Sequence, residues 1–367
     1  MHRKDAIAWV VTVCASTLRL SQAKTLAVLV ASAMRVERVS LANIGRAMQG
    51  MVKHQIKRCW RFCANDRIET ADAMRGVLKR VLKKRKKKLL ISFDWTDIKG
   101  FQTLMASVVF KGRSIPVCWA SCKKHVYDGH RSRNAFEEAL LLTLRSMIPQ
   151  KIKVIILADR GFGRTELARF CQNHGFSYVI RIQPKVLVDC TSFKGKLIDY
   201  PRVRKGICKL LKSVAYRSQE NPVTQNIVIR WTRGLPAKRD ECWFLMTDLC
   251  AGPAQISKLY GQRMTIEQLF RDQKNKRNGW SLRDTKITRP ERIDRLLLIL
   301  AIAYLLLCGI GLIALHTKRP GDWSSSTRNE CSVFTIGRIM LRRLRVAVSQ
   351  ALAAVIAATE EAVPKWG

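Results

Sequence analysis

Acidic residues are scarce in this chain: 27 Asp and Glu stand against 67 Lys and Arg, a net charge of +40 over 367 residues. Self-repulsion on that scale opposes compaction unless a polyanion neutralises it. Nucleic acid is therefore the first partner to consider, and an anionic membrane surface the second. Paired CxxC motifs are missing as well. Among the 12 cysteines, Cys59/Cys63 and Cys118/Cys122 share a three-residue gap, but His54, His125 and His130 form no zinc-like array with them. Reduced, mostly buried thiols of a cytoplasmic protein fit that usage. There is no low-complexity tract and no repeat with a period of about 20–50 residues, which excludes disordered and solenoid architectures. The opening MHRKDAIAWVVTVCASTLRLSQAK starts basic, but its apolar run is interrupted and no cleavage site follows. A secretory signal is not expected.

What is present is a globular composition, 47% hydrophobic and 26% charged, on a chain long enough for a sizeable core and two or three units. Residues 1–75 read as an all-α region. LSQAKTLAVLVASAM is apolar at helical spacing with Ser21 as a candidate cap, and Ser40 is placed to cap LANIGRAM. MVKHQIKRCWRFCAN then puts Lys53, Lys57, Arg58 and Arg61 on one helix, with Ile56 and Trp60 for packing. Short helices ending in a basic one suit a DNA-binding module; an ordinary bundle with a solvated basic face is the alternative. The run KRVLKKRKKK, residues 79–88, has the composition of a phosphate-tracking connector or a solvated linker.

Residues 76–184 alternate strands and helices. Leu89–Phe93 is a short apolar run closed by Asp94. TLMASVVF and SIPVCWAS flank Lys111-Gly112-Arg113 as a hairpin. A helix spans about 133–147, ended by Pro149. The strand Val154–Ala158 terminates in Asp159, a helix follows with Gly175 past its end, and FSYVIRI is a further strand. The pattern predicts a mixed sheet with helices on its faces, with Asp94 and Asp159 at the strand ends where open α/β sheets place their sites. Residues 185–250 read as a β-rich insertion containing NIVIRWTRG and ECWFLMTDL. Residues 251–330 return to helix, and 331–367 form a C-terminal helical region. Within the former, LLLILAIAYLLLCGIGLIAL (296–315) is uncharged and long enough to span a membrane; a helix buried on all sides gives the same pattern.

YGQRMTIEQLFRDQK (260–274) carries Tyr260, Arg263, Glu267 and Lys274 at offsets of three, four and seven. On a continuous helix at about 100° per residue they fall within roughly 60° of arc, beside a core-facing stripe of Leu259, Ile266, Leu269 and Phe270. Asp272 lies off that face. Asp94, Asp159 and Glu267 together form a carboxylate set of hard oxygen donors suited to Mg²⁺ or Mn²⁺. Two such ions serve phosphodiester chemistry. Asp97 competes with Asp94 for the first position, and His125, His130 and Asn134 precede the core helix as candidates for site-lining or helix-start roles.

These residues resemble the DDE transposases of bacterial insertion sequences, in the branch marked by Tyr-x2-Arg-x3-Glu-x6-Lys. Tyr260, Arg263, Glu267 and Lys274 satisfy that spacing, FDWTD resembles the first-Asp motif and LADRGFG the second. The resemblance implies a ribonuclease-H-like core interrupted by the insertion and an N-terminal region for DNA binding. It also implies two metal ions on Asp94, Asp159 and Glu267, and phosphate contacts from Tyr260, Arg263 and Lys274. Double-stranded DNA, as terminal inverted repeats and target, is the implied partner. A dimer on that DNA and a bacterial cytoplasmic, nucleoid-associated location without membrane insertion follow from the same likeness. Trp243 sits where such enzymes stack a Trp on a flipped base; a core position in the insertion explains it equally well.

Overall fold

Two apolar runs organise the molecule: β1 (Lys88–Ile98) and β4 (Lys153–Ala158). The computed structural model describes residues 1–82, 88–124, 126–127, 129–130, 132–201, 203–204, 206–217, 222–232, 241–277, 279–282, 285–328 and 330–363. In it β1 and β4 run parallel, from Lys88 opposite Lys153 to Phe93 opposite Ala158. Leu89, Ile91, Phe93, Val154, Ile156 and Ala158 enter one core, while Leu90, Ile155 and Leu157 enter a second. A strand covered on both faces needs apolar residues at consecutive positions, which is why these segments lack alternation.

β2 (Phe101–Phe110) and β3 (Arg113–Lys123) complete an antiparallel meander with β1. The β1–β2 turn passes through Lys99 at φ 53° and Gly100 at φ 83°, the left-handed pair a tight hairpin requires. Asp97 serves this turn, accepting the Gly100 N–H at 3.2 Å. α6 (Arg133–Met147) begins at Ser132, whose hydroxyl accepts the Ala135 N–H. After β4 come α7 (Thr165–Asn173) and β5 (Phe176–Arg181), parallel to β4.

The β-rich stretch continues the same sheet. β6 (Leu187–Cys190), β7 (Phe193–Lys196), β8 (Cys208–Tyr216), β9 (Val223–Thr232) and β10 (Glu241–Thr247) extend it from the β5 edge, where Leu245 lies opposite Arg181. The ten strands run in the order β3-β2-β1-β4-β5-β10-β9-β8-β6-β7, a large mixed sheet with flanking helices.

Five helices precede the sheet: α1 (Arg3–Cys14), α2 (Leu20–Ala33), α3 (Leu41–Arg46), α4 (Val52–Ala64) and α5 (Thr70–Leu82). Ser40 caps α3 by accepting the Asn43 N–H at 3.0 Å. Ser21, expected as a cap, lies inside α2, whose entry is fixed instead by Gln22 Oε1 accepting the Arg19 N–H. The inward face of α4 is Cys59, Phe62 and Cys63, with Ile56 and Trp60 only partly buried. α5 takes up the start of the basic run; residues 83–87 of that run lie outside the described residues.

The uncharged segment 296–315 is the middle of α10 (Pro290–Thr317), which is long and apolar enough to cross a membrane. Here it is wrapped by the rest of the fold, with 94% of its most apolar window buried. α2, α4, α5 and β3 pack on it, as do α11 (Val333–Met340) and α12 (Val348–Glu361), into which the expected C-terminal helical region resolves. Close approach depends on glycine. A Cβ on Gly311 would stand 1.9 Å from the Val333 carbonyl oxygen, and one on Gly337 equally close to that of Leu307. Side-chain-free positions let α10 and α11 pack backbone against backbone.

Candidate active site

Asp94 and Asp159 each stand one residue beyond the last parallel pair, Phe93–Ala158. Adjacent strands lie about 4.8 Å apart, so register alone makes the two carboxyl-bearing positions neighbours. The alternation that sends Leu90, Ile155 and Leu157 into the second core puts both aspartates on that same face. Their local roles differ. Asp94, expected at a strand end, instead lies inside β1, opposite Met105 of β2, because the β1–β2 pairing runs on to Ile98, and its Oδ1 accepts the Trp95 N–H at 2.8 Å. Asp159 leaves the sheet and caps the 3₁₀ turn Arg160–Phe162, its Oδ1 accepting the Gly161 N–H at 2.8 Å.

The third wall comes from residues 253–274, which do not form the continuous helix expected. α8 (Pro253–Gly261) and α9 (Thr265–Lys274) are joined by a 3₁₀ turn, Gln262–Met264. The tighter turn changes the phase, so Leu259 packs into the second core and Ile266, Leu269 and Phe270 into the first. Arg263, in the turn itself, is 8% exposed. Its Nη1 donates to Asp94 Oδ2 at 3.1 Å and its Nη2 to Glu267 Oε1 at 2.5 Å, and its charge acts on the Tyr260 phenol. One guanidinium thus ties Asp94 to Glu267, a use of the rigid donor fork that lysine lacks. Lys274 donates to Thr96 Oγ1, two residues beyond Asp94. Tyr260 is buried, with the Trp243 ring edge-on at 5.0 Å, and Trp243 on β10 is half-buried beneath the Arg230 guanidinium.

The electrostatics follow from this crowding. Burial pushes the Asp94 carboxyl up to about 6; Arg263 opposes that, while Asp159 and Glu267 add to it. Burial also raises the Tyr260 phenol against the pull of Arg263. For Arg263, burial works downward, but Tyr260, Asp94 and Glu267 together raise its pKa. Among the described residues no three His, Cys, Asp or Glu side chains stand ready as a metal cluster, since Arg263 bridges Asp94 and Glu267. The donor chemistry nonetheless fits a hard divalent cation. Three carboxylates interact here, and their repulsion on Asp94 is what a bound cation relieves.

The other residues singled out in the sequence have different surroundings. Lys53 and Lys57 are exposed on α4, which packs on α2, α3 and α10, and Arg58 ties α4 to α2 by donating to Thr25 Oγ1 at 3.1 Å. His130 packs edge-on against Phe136, and Asn134 sits in the first turn of α6, its carbonyl accepting from Arg164. His125 lies outside the described residues. Asp272 is buried away from the other carboxylates, accepting from Arg113, Tyr304 and Ser332.

Sequence reasoning missed the support behind Asp94. Glu137 on α6, 1% exposed, accepts from Trp95 Nε1 at 2.8 Å, Arg133 Nε at 3.2 Å and Arg164 Nη1 at 2.5 Å. The Arg133 guanidinium also lies over the Trp95 ring at 4.8 Å. Since the Trp95 N–H holds Asp94, this buried ion pair fixes the backbone that presents the carboxylate. The only local signal was the Arg133–Glu137 spacing of four, common on solvated helix faces.

A family model described as a transposase DDE domain matches residues 85–306, a span that includes Asp94, Asp159 and Glu267. No curated protein matches the chain.

Proposed function

Because this chain belongs to the transposase DDE domain family, and is a transposase in that general sense, we propose that it binds the terminal inverted repeats of a bacterial insertion sequence, cleaves the element ends and joins their 3′-hydroxyls to target DNA. The observation that carries the reading is the register: Asp94 and Asp159 follow the last β1–β4 pair, and Arg263 links Asp94 to Glu267. Asp94, Asp159 and Glu267 would hold Mg²⁺ or Mn²⁺, two ions in all, which when bound supply activation of water or a 3′-hydroxyl and stabilisation of the leaving oxygen.

The remaining residues handle DNA. Arg263 would turn its fork to a phosphate next to the scissile bond when its carboxylates hold metal in its place. Tyr260 orients that guanidinium from below. Lys274, on the same side of α9 as Glu267, neutralises a neighbouring phosphate. Trp243 stacks on a base flipped from the element end, an interaction of about 1–3 kcal/mol, after giving up its edge contact with Tyr260. Lys53, Lys57 and Arg58 on α4 contact the repeat outside the cleavage site. Two copies of the chain hold the two ends, and the work takes place on the nucleoid in the cytoplasm.

The test uses a labelled fragment carrying the inverted repeats that flank the gene, incubated with the protein and Mg²⁺. Nicking at the element ends followed by joining to a second duplex is expected. Absence of any nick at those ends refutes the reading. Nicking without joining indicates a metal-dependent nuclease, and binding with neither step a DNA-binding protein without catalysis. Glu267→Gln should abolish cleavage and leave salt-sensitive binding intact; a retained cut moves the site elsewhere.

A further inference from the structure

A wide depression lies away from the carboxylates, where the segment after α2, the segment after α9 and the α11 region meet. It encloses about 820 Å³ and is lined by seven Lys and Arg side chains and one acid, Glu37. It continues at both ends: Arg35 and Arg342 also line a neighbouring hollow that includes Arg3 and Arg345, and Arg38 lines another that reaches Arg46. The three together make a groove in which Arg and Lys far outnumber the one acid, Glu37.

The positive charges there outnumber the acids, with Glu37 and Asp272 acting on Arg338. Arg35 is depressed first by burial and then by the positive fields of Arg3 and Arg342. Its Nη1 donates to the Ala31 carbonyl, and Arg3 donates to the Ala47 carbonyl and Ser32 Oγ. Among the described residues, no ion pair to Arg35, Arg38, Arg277 or Arg342 is present. Cations gathered from three chain segments repel one another and lower stability unless an anion sits between them. A single phosphate would occupy one end of such a groove; its extent over three adjoining hollows suits a polymer with phosphates at regular intervals.

Position adds to charge. Lys276 and Arg277 follow one residue after Lys274, the last residue of the helix that carries Glu267. The chain leaving α9 thus carries basic residues from the helix of Glu267 to the groove. We propose that this groove is a second DNA-backbone site, in which the post-α2 segment, the post-α9 segment and the α11 region clamp a duplex by its phosphates without reading its bases. The choice of DNA as occupant rests on the function proposed above.

The experiment measures binding of the full chain to the element-end fragment and to an unrelated duplex across a salt series. Arg38→Gln, Arg277→Gln and Arg342→Gln are combined, all three being exposed. A control of equal charge loss combines the exposed Lys111→Gln, Lys151→Gln and Lys318→Gln, and a third variant places Lys at the three Arg positions. Each lost phosphate contact lowers the slope of log K against log salt by about 0.9. The groove variant should lose about 2–3 from the slope on both duplexes, while the control and the Lys variant keep the parent's slope. An unchanged slope in the groove variant, or an equal fall in the control, overturns the proposal. The two readings fail separately. If the parent nicks the ends but the groove variant binds normally, only the groove is lost. If the parent never nicks but the slope falls as stated, the groove stands on a protein that does not cut.

Discussion

Removing Glu137 is the sharpest test of how the site is held. Its side chain is 2% exposed and its partner Arg164 10%, so Glu137→Ala leaves a guanidinium largely out of water with only Glu138, at 3.3 Å and partly exposed, to offset it. Breaking a buried pair from one side costs about 3–5 kcal/mol, a range that takes in the lost Trp95 hydrogen bond of about 1 kcal/mol. Glu137→Leu combined with Arg164→Met removes both charges and fills the space, and should fall within about 1 kcal/mol of the parent, because the burial penalty of both ions goes with them. Equilibrium unfolding in urea, with the m-value checked for constancy, reads both variants. A Glu137→Ala loss below about 1 kcal/mol, or a double variant weaker than the single, refutes the reasoning. Cleavage should follow a different order from stability. Both variants release Trp95 and with it the backbone N–H that fixes Asp94, so both should cut more slowly even where the double variant is stable.

Three further outcomes follow from the structure. In the metal-free protein, Asp94 is raised in the folded state to about 6, so the folded form binds the extra proton above the unfolded carboxyl's pKa of about 4. Its contribution is present below about pH 4 and lost as pH rises towards 6; Asp94→Asn should flatten that decline in urea midpoints taken with chelator. Gly311→Ala, which on an exposed helix would stabilise by about 1 kcal/mol, should instead cost about 3 kcal/mol or more because its Cβ meets the Val333 carbonyl; a raised melting temperature would refute the close packing. Lys53→Gln with Lys57→Gln should leave the urea midpoint unchanged within about 0.5 kcal/mol yet weaken binding to the element end in a gel-shift titration.

The two aspartates could be picked out because the end of an apolar run is a local feature, although only Asp159 also ends its strand, β1 continuing through Asp94 to Ile98. An apolar run that stops at Asp is visible without knowing its neighbours, and Asp94 and Asp159 stop two runs that happen to pair in parallel. The spacing of Tyr260, Arg263, Glu267 and Lys274 was also readable, but the 3₁₀ turn at Gln262–Met264 was not. An offset of seven fits two helical turns whether or not the hydrogen-bond pattern tightens midway. The join between β5 and β10 was beyond reach for another reason: which edge accepts a new strand is decided by long-range pairing. Segment 296–315 stayed ambiguous because lipid and protein interior make the same demand on a helix's outer face. Glu137 escaped notice because its neighbour at i−4 reads as a surface pair; only packing α6 over Trp95 makes it buried.

The enclosure of α10 has a consequence for biosynthesis. On the ribosome this helix emerges before α11 and α12, two of the elements that cover it. At about 5–20 residues per second, several seconds separate the synthesis of Thr317 from that of Glu361. Throughout that interval a stretch that passes for a membrane span lies partly uncovered in the nascent chain. The α2, α4, α5 and β3 surfaces, already made, are its first shelter. Premature stops between Thr317 and Val348 should therefore yield chains retained by chaperones or drawn to the translocon rather than shortened transposase, which makes the late helices a gate on how much working protein a cell accumulates.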